Sequence, residues 1–169
     1  MSENTKLHPF ERAGLGEAPF RCIGVEIKRY QACHGAPIQP GGMCEFCGES
    51  IVECCIIKGS DGRQFTVGNV CVGKTYDAKL VSDTDRRINL LRRNARHQKE
   101  AECIERLACW LQDEQIRAKL AAEPSPNNCY SADVLSWAQW MMDNAGNSGK
   151  MKVYRKVKKV EAALESSAQ

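Results

Sequence analysis

Cys44-Glu-Phe-Cys47-Gly48 is a C-x-x-C-G turn, and it constrains the fold more than any other stretch of the chain. The two-residue spacing lets both sulfurs point at one ion about 2.3 Å away, while the turn backbone donates N–H groups to the thiolates. Gly48 adopts the positive φ that such a turn requires at no steric cost. The chain of 169 residues carries 10 cysteines, a density that usually signals a disulfide framework in a small secreted domain. Met1 to Arg12 lacks the basic-then-apolar pattern of an export signal, so a cytoplasmic protein is expected. In a reducing compartment metal ligation is the better account of the cysteines. Cys22, Cys33, Cys44, Cys47, Cys54, Cys55 and Cys71 all precede residue 80. Cys103, Cys109 and Cys129 fall in a helical region and are expected as buried small hydrophobes.

The segments after the turn extend the metal argument. IVECCIIK reads as a strand, GSDG as a hairpin turn and RQFTVG as the returning strand. NVCVGKTYDAKL then reads as a short helix with Cys71 near its start, where free backbone N–H groups favour a thiolate. A knuckle, a hairpin and a cysteine at a helix start is the order of a treble-clef zinc site. A treble clef places its last ligand three residues further along the helix, and here that residue is Lys74. The fourth ligand must come from elsewhere. Cys33 is the first choice and His34 the second, because the loop over 31–43 leads into the knuckle. Cys54 or Cys55 is a weaker choice, since strand alternation turns one of them toward the core. A redox role for Cys44 and Cys47 would call for a βαβ setting, and the neighbours here are hairpin-like. One structural Zn2+ also has a folding rationale, because residues 20–80 hold few large apolar side chains and a metal staple compensates.

The remaining segments predict an α+β chain: a small zinc-stapled β-hairpin and helix module followed by a mostly helical C-terminal half. Residues 1–19 read as a loose arm, 20–81 as the zinc module and 82–169 as the helical region. FRCIGVEIKRY alternates as a strand. A long helix is expected from a cap at Ser82 or Asp83 to about Ala122. Its apolar stripe switches sides, from Ile88, Leu91 and Ala95 to Ile104, Leu107, Ala108 and Leu111, which implies a break near 97–101 or two packing partners. A third helix over 131–144 is apolar round much of its girth, and a fourth over 150–165 is amphipathic on Val153, Val157, Val160 and Leu164.

RYQACHGAPIQPGG, CEFCG and DGRQFTVGNVCVGK together resemble an uncharacterised group of small zinc-binding proteins of bacteriophages and prophages. The resemblance covers about Phe20 to Leu80. It implies a mobile-element origin, a bacterial host and a metal-binding core with Cys44, Cys47 and Cys71.

Half of the 24 basic residues lie in two short segments. Arg86, Arg87, Arg92, Arg93, Arg96 and Lys99 form one, with no acid among them; Lys150, Lys152, Arg155, Lys156, Lys158 and Lys159 form the other. Such clusters are footprints for phosphates or for acidic protein surfaces, although a lysine-rich helix face is commonly just solvated. Three Trp, four Tyr and four Phe do not interleave with the basic runs, which disfavours base stacking. Catalysis is not expected. The chain has three histidines, none within 51–80 where a treble-clef nuclease would carry its base, and no P-loop, G-x-S-x-G or H-E-x-x-H. The expectation is a non-enzymatic binding protein acting on nucleic acid or a nucleoprotein complex. The alternative is an inhibitor that binds a host defence protein, in the manner of an anti-CRISPR protein. No apolar run reaches membrane-spanning length. Homodimerisation through the long helix, with Trp110 and Leu111 as anchors, is a further option, and core burial competes with it.

Overall fold

Alternating apolar residues in RCIGVEI, ECCIIK and QFTV produce three antiparallel strands, β1 (Arg21–Ile27), β6 (Glu53–Lys58) and β7 (Gln64–Val67), in the order β1-β6-β7. A computed structural model describes residues 7–126 and 131–167. It is α+β, with about 53% helix and 17% strand, the sheet in the N-terminal half and helices in the C-terminal half. Four two-residue strands complete the sheet region. β2 (Arg29–Tyr30) pairs with β3 (Gln39–Pro40), and β4 (Gly42–Met43) pairs with β5 (Ser50–Ile51). The helices are α1 (Pro9–Arg12), α2 (Asn69–Gly73), α3 (Ala78–Trp110), α4 (Glu114–Ala122), α5 (Val134–Asn144) and α6 (Asn147–Ser167). The chain divides into two compact units, residues 1–93 and 94–169, so the division falls within α3.

In the first unit, β6 is the central strand. Cys55 lies between Val25 and Val67 in register, and Ile57 between Cys22 and Phe65. These residues belong to one core with Phe10, Phe20, Val72, Leu80 and Ile88. Phe10 is fully buried, and its ring meets Phe20, Phe46 and Phe65 at 5.6, 5.2 and 5.1 Å in edge-to-face geometry. All four phenylalanines of the chain therefore converge in this unit. The expected loose arm is corrected here: from His8 onward it is folded. Pro9 opens α1, His8 Nδ1 accepts the Phe10 N–H, and Glu11 accepts the His8 N–H in return, a capping box too unusual in its histidine cap to stand out in the sequence.

α3 starts earlier than expected. Asp77 Oδ1 accepts the N–H groups of Lys79 and Leu80 at 3.0 Å each, and so caps the helix. Asp83 instead lies within it and pairs with Arg86. The helix passes through 97–101 without a break and serves two cores: Leu80 and Ile88 belong to the first, Leu107 and Trp110 to the second. The interruption comes at 111–113, where Asp113 caps α4 by accepting the Ile116 N–H.

The second unit buries Leu107, Trp110, Leu111, Ile116, Leu120, Val134, Ala138, Val153, Val157 and Val160. The apolar stripe of α6 falls where its periodicity places it. Trp110 stacks on Tyr154 at 5.3 Å, with the Arg106 guanidinium over the indole at 4.8 Å. Trp110 and Leu111 are each only 8% exposed, which removes them as anchors for a second copy. α5 is less enclosed than its composition suggests, with Trp140 half exposed. Cys109 is exposed and Cys103 half-buried, so the expectation of buried thiols fails for Cys109; Cys129 lies outside the described residues.

Phe10→Ala should lower the stability of the first unit by about 3–5 kcal/mol in denaturant unfolding, whereas truncating a residue of an unpacked arm costs within about 0.5 kcal/mol. A second expectation concerns His8. Burial lowers its pKa below 6.5, against the opposing pull of Asp77 and Glu11. The unfolded chain then takes up the proton first as pH falls, so the His8 contribution is complete above pH 6.5 and is lost as pH drops below that value. His8→Asn keeps a cap acceptor and should remove this component from a stability–pH profile.

Candidate metal centre

The site is assembled from three places in the sequence. β4 leads into Cys44 and β5 leads away from Glu49, and the pairing of these strands closes the turn. Within it the Cys44 N–H donates to Glu49 O and the Gly48 N–H to Cys44 O, both at 2.8 Å. Gly48 takes φ +76°, as the C-x-x-C-G spacing demands. Glu45 fixes the turn against the sheet: its N–H donates to Thr66 O at 2.8 Å and its carboxylate accepts the Thr66 N–H at 2.6 Å. β7 then runs from Thr66 through Gly68 into α2, which places Cys71 one turn inside that helix.

The result is a cluster of Cys44, Cys47 and Cys71 whose sulfurs all lie within 4.8 Å of one another. Cys71 Sγ is 3.4 Å from Cys47 Sγ. Tetrahedral thiolates around zinc would stand about 3.8 Å apart, given Zn–S bonds of about 2.3 Å. Cys44 is fully buried, Cys71 is nearly so, and Cys47 is exposed. Three cysteines placed in this way can hold a metal ion.

Electrostatics favour a cation at this point. Burial pushes the Cys44 thiol up, but N–H groups of Gly68, Cys47 and Phe46 and a hydrogen bond with Cys47 outweigh it, and the net shift is down. Cys71 is pushed up to about 12 by burial and by its sulfur neighbours Cys47 and Cys44. Three sulfurs this close cannot all ionise without a compensating positive charge, and a divalent cation supplies it.

Cys33 is not brought to this cluster. It sits in an exposed loop that β2 and β3 close on itself, with Cys33 O accepting the Ala36 N–H, and His34 is exposed in the same loop. Proximity in sequence to the knuckle is therefore a poor guide, because the β2–β3 pairing intervenes. Cys54 and Cys55 are both buried, on opposite faces of β6. Cys55 lies in the core, and burial pushes its thiol up to about 12. Cys54 faces Gly42, where a Cβ would overlap its sulfur. Lys74 ends α2 and is exposed. The residue that sequence reasoning missed is Glu45, whose position inside the C-x-x-C turn is its only signal.

The basic residues divide by pairing. Arg86 pairs with Asp83 at 2.9 Å, Arg92 reaches both oxygens of Glu53 at 2.7 and 2.8 Å, and Lys156 pairs with Glu123. Arg87, Arg93, Arg96, Lys99, Lys152, Arg155 and Lys159 are exposed, with no acidic partner among the described residues. On α6, Lys152, Arg155, Lys156 and Lys159 share one face at i, i+3, i+4 and i+7. On α3, Arg87, Arg93, Arg96 and Lys99 spread round more than half the circumference at about 100° per residue. No helix among the described residues is long and apolar enough to cross a membrane.

Protein purified without chelator should carry about one metal ion per chain by elemental analysis. Cys44→Ser, Cys47→Ser and Cys71→Ser should each abolish that content, and Cys33→Ser should retain it. A family-model scan, a search of curated proteins and a search of solved structures found no match to this chain.

Proposed function

We propose that this is a non-enzymatic, zinc-stapled binding protein of phage or mobile-element origin that acts on nucleic acid, or on a nucleoprotein complex, in the cytoplasm of a bacterial host. The observation that carries the reading is the pairing of two features. The three-cysteine cluster joins the turn to α2 beside a small sheet, and nine exposed cations on α3 and α6 lack acidic partners among the described residues.

Zinc suits the donors. Thiolates favour it over harder cations, it asks for tetrahedral geometry, and it brings no redox chemistry. In the module it would tie the turn, the hairpin and α2 together, and this chain's own residues would do the rest. Glu45 holds the turn on β7, and the Gly68, Phe46 and Cys47 N–H groups face the Cys44 sulfur. The metal's role is then structural, as expected for a small sheet.

The cations support phosphate contact. Arginines on α3 can fork phosphate oxygens, and the α6 face presents four basic residues along two turns. Such contacts are independent of base sequence and are weakened by salt.

Binding to random duplex DNA, followed by anisotropy across a salt series, tests the reading. The expected result is a linear fall of log affinity with log salt. Arg93→Ala/Arg96→Ala/Lys99→Ala should make the slope shallower by about 0.9 for each phosphate that is no longer neutralised. An absence of binding at low salt would overturn it. Chelation should raise hydrogen exchange across residues 20–80 if the metal is structural.

A further inference from the structure

Two departures from ordinary protein chemistry meet at one place in the first unit. Tyr76 follows α2 with φ +60°, the one non-glycine residue with a positive φ among the described residues. Chains commonly leave a helix through such a position with glycine, because a Cβ there is strained. The tyrosine ring returns nothing to the fold, since the residue is 91% exposed. The second departure is His8, whose Nε2 is the one buried side-chain polar atom without a hydrogen-bond partner among the described residues. Its Nδ1 accepts the Phe10 N–H at 3.2 Å, which leaves the ring proton of the neutral imidazole on Nε2. Asp77 Oδ2 faces that atom across 4.0 Å, beyond hydrogen-bond reach. His8, Tyr76 and Asp77 all line one cavity of about 650 Å³, together with Leu7, Pro9 and Arg12. Backbone strain and an unanswered buried donor in one cavity are the marks of residues set by a ligand rather than by packing.

We propose that this cavity binds a ribonucleotide with free ribose hydroxyls, either a mononucleotide or the 3′ end of an RNA. A hydroxyl is the group that completes the His8–Asp77 gap, because it accepts from Nε2–H and donates to the carboxylate at once. The gap has to widen by about half an ångström for both bonds to reach ordinary lengths and angles, and that widening opens Nε2 to the cavity. Asp77 Oδ1 is committed to the Lys79 and Leu80 N–H groups, so Oδ2 is the oxygen left for a ligand. Tyr76 offers an exposed ring on which a base can stack, and Leu7 and Pro9 extend the apolar lining. Arg12 is exposed, has no acidic partner among the described residues and suits a phosphate. Glu11, the other acid in the lining, already accepts the His8 and Ala18 N–H groups. A neutral sugar would use the hydroxyl bridge but leave Arg12 idle, and an apolar segment would leave the bridge unmade. The site lies apart from the basic faces of α3 and α6 and does not rest on the duplex reading.

The test titrates the full chain with adenosine 5′-monophosphate and follows backbone amide resonances. Saturable shifts should appear at Tyr76, Asp77 and Arg12. The 2′,3′-dideoxy analogue should bind at least about tenfold more weakly, the loss expected when hydrogen bonds to a charged carboxylate are removed. Tyr76→Ala should weaken the ribonucleotide at least about tenfold. Asp77→Asn keeps a helix cap and should erase the discrimination between the two nucleotides. Circular dichroism verifies that both variants keep their helices. An oligoadenylate of about eight residues with free 3′-terminal hydroxyls separates the two sources. Tighter binding than the mononucleotide assigns the RNA end, and equal or weaker binding assigns the free nucleotide. Equal binding of the dideoxy analogue to the unaltered chain overturns the proposal, because it reduces the site to stacking and charge. Absence of shifts at Tyr76 with millimolar mononucleotide and oligoadenylate also overturns it. So does a polyglutamate peptide that moves the Tyr76 and Arg12 resonances when neither nucleotide does, which assigns the exposed ring to a protein partner.

Discussion

Mutual repulsion among three sulfurs is the constraint on which the first unit turns. Cys44, Cys47 and Cys71 come from a turn and from a helix 24 residues further on, and they meet at distances no greater than 4.8 Å. Nothing in the hydrophobic effect requires such a meeting. Buried thiols pack equally well in an apolar core without converging on one point. Crowding them raises the cost of ionising Cys71, and that cost is relieved only by a cation. The backbone is arranged for the ionised form, with three N–H groups directed at Cys44. Sheet, turn and α2 are thus organised around a point of prospective negative charge.

That point is not isolated from the apolar core. Phe46 lies between the two cysteines of the turn, and its ring packs on Phe10 at 5.2 Å. Phe10 in turn carries α1, whose cap residue His8 faces Asp77, the residue that caps α3. Any shift of the cysteine turn is therefore transmitted through one aromatic ring to the N-terminal helix. Glu45, on the other side of the same turn, transmits it to β7. A turn of a few residues thus reaches α1, β7 and α2 as well as its own flanking strands.

What can be read in the sequence follows from how local each cause is. The C-x-x-C-G turn, the Gly59–Gly62 hairpin turn and the α6 stripe are set by residues a few positions apart, and the α+β class and the Cys44, Cys47 and Cys71 grouping are legible from them. The fold of residues 8–19 is not, because its cause is Phe10 finding three distant rings. The start of α3 is ambiguous in sequence because Asp77, Ser82 and Asp83 are all competent caps, and only packing of Leu80 selects the first. Chain proximity favours Cys33 as a ligand, and the β2–β3 pairing defeats it. The pairing of Arg92 with Glu53, 39 residues away, likewise cannot be seen in a run of basic residues.

The two units have divided the aromatic residues between them. All four phenylalanines lie in the first, and all three tryptophans, at 110, 137 and 140, lie in the second. Tryptophan emission from this protein therefore originates entirely in the helical unit, and no tryptophan lies in the unit that carries the cysteine cluster. A melting curve followed by that signal reads the surroundings of three positions in the second unit, and the cysteine cluster needs a probe of its own.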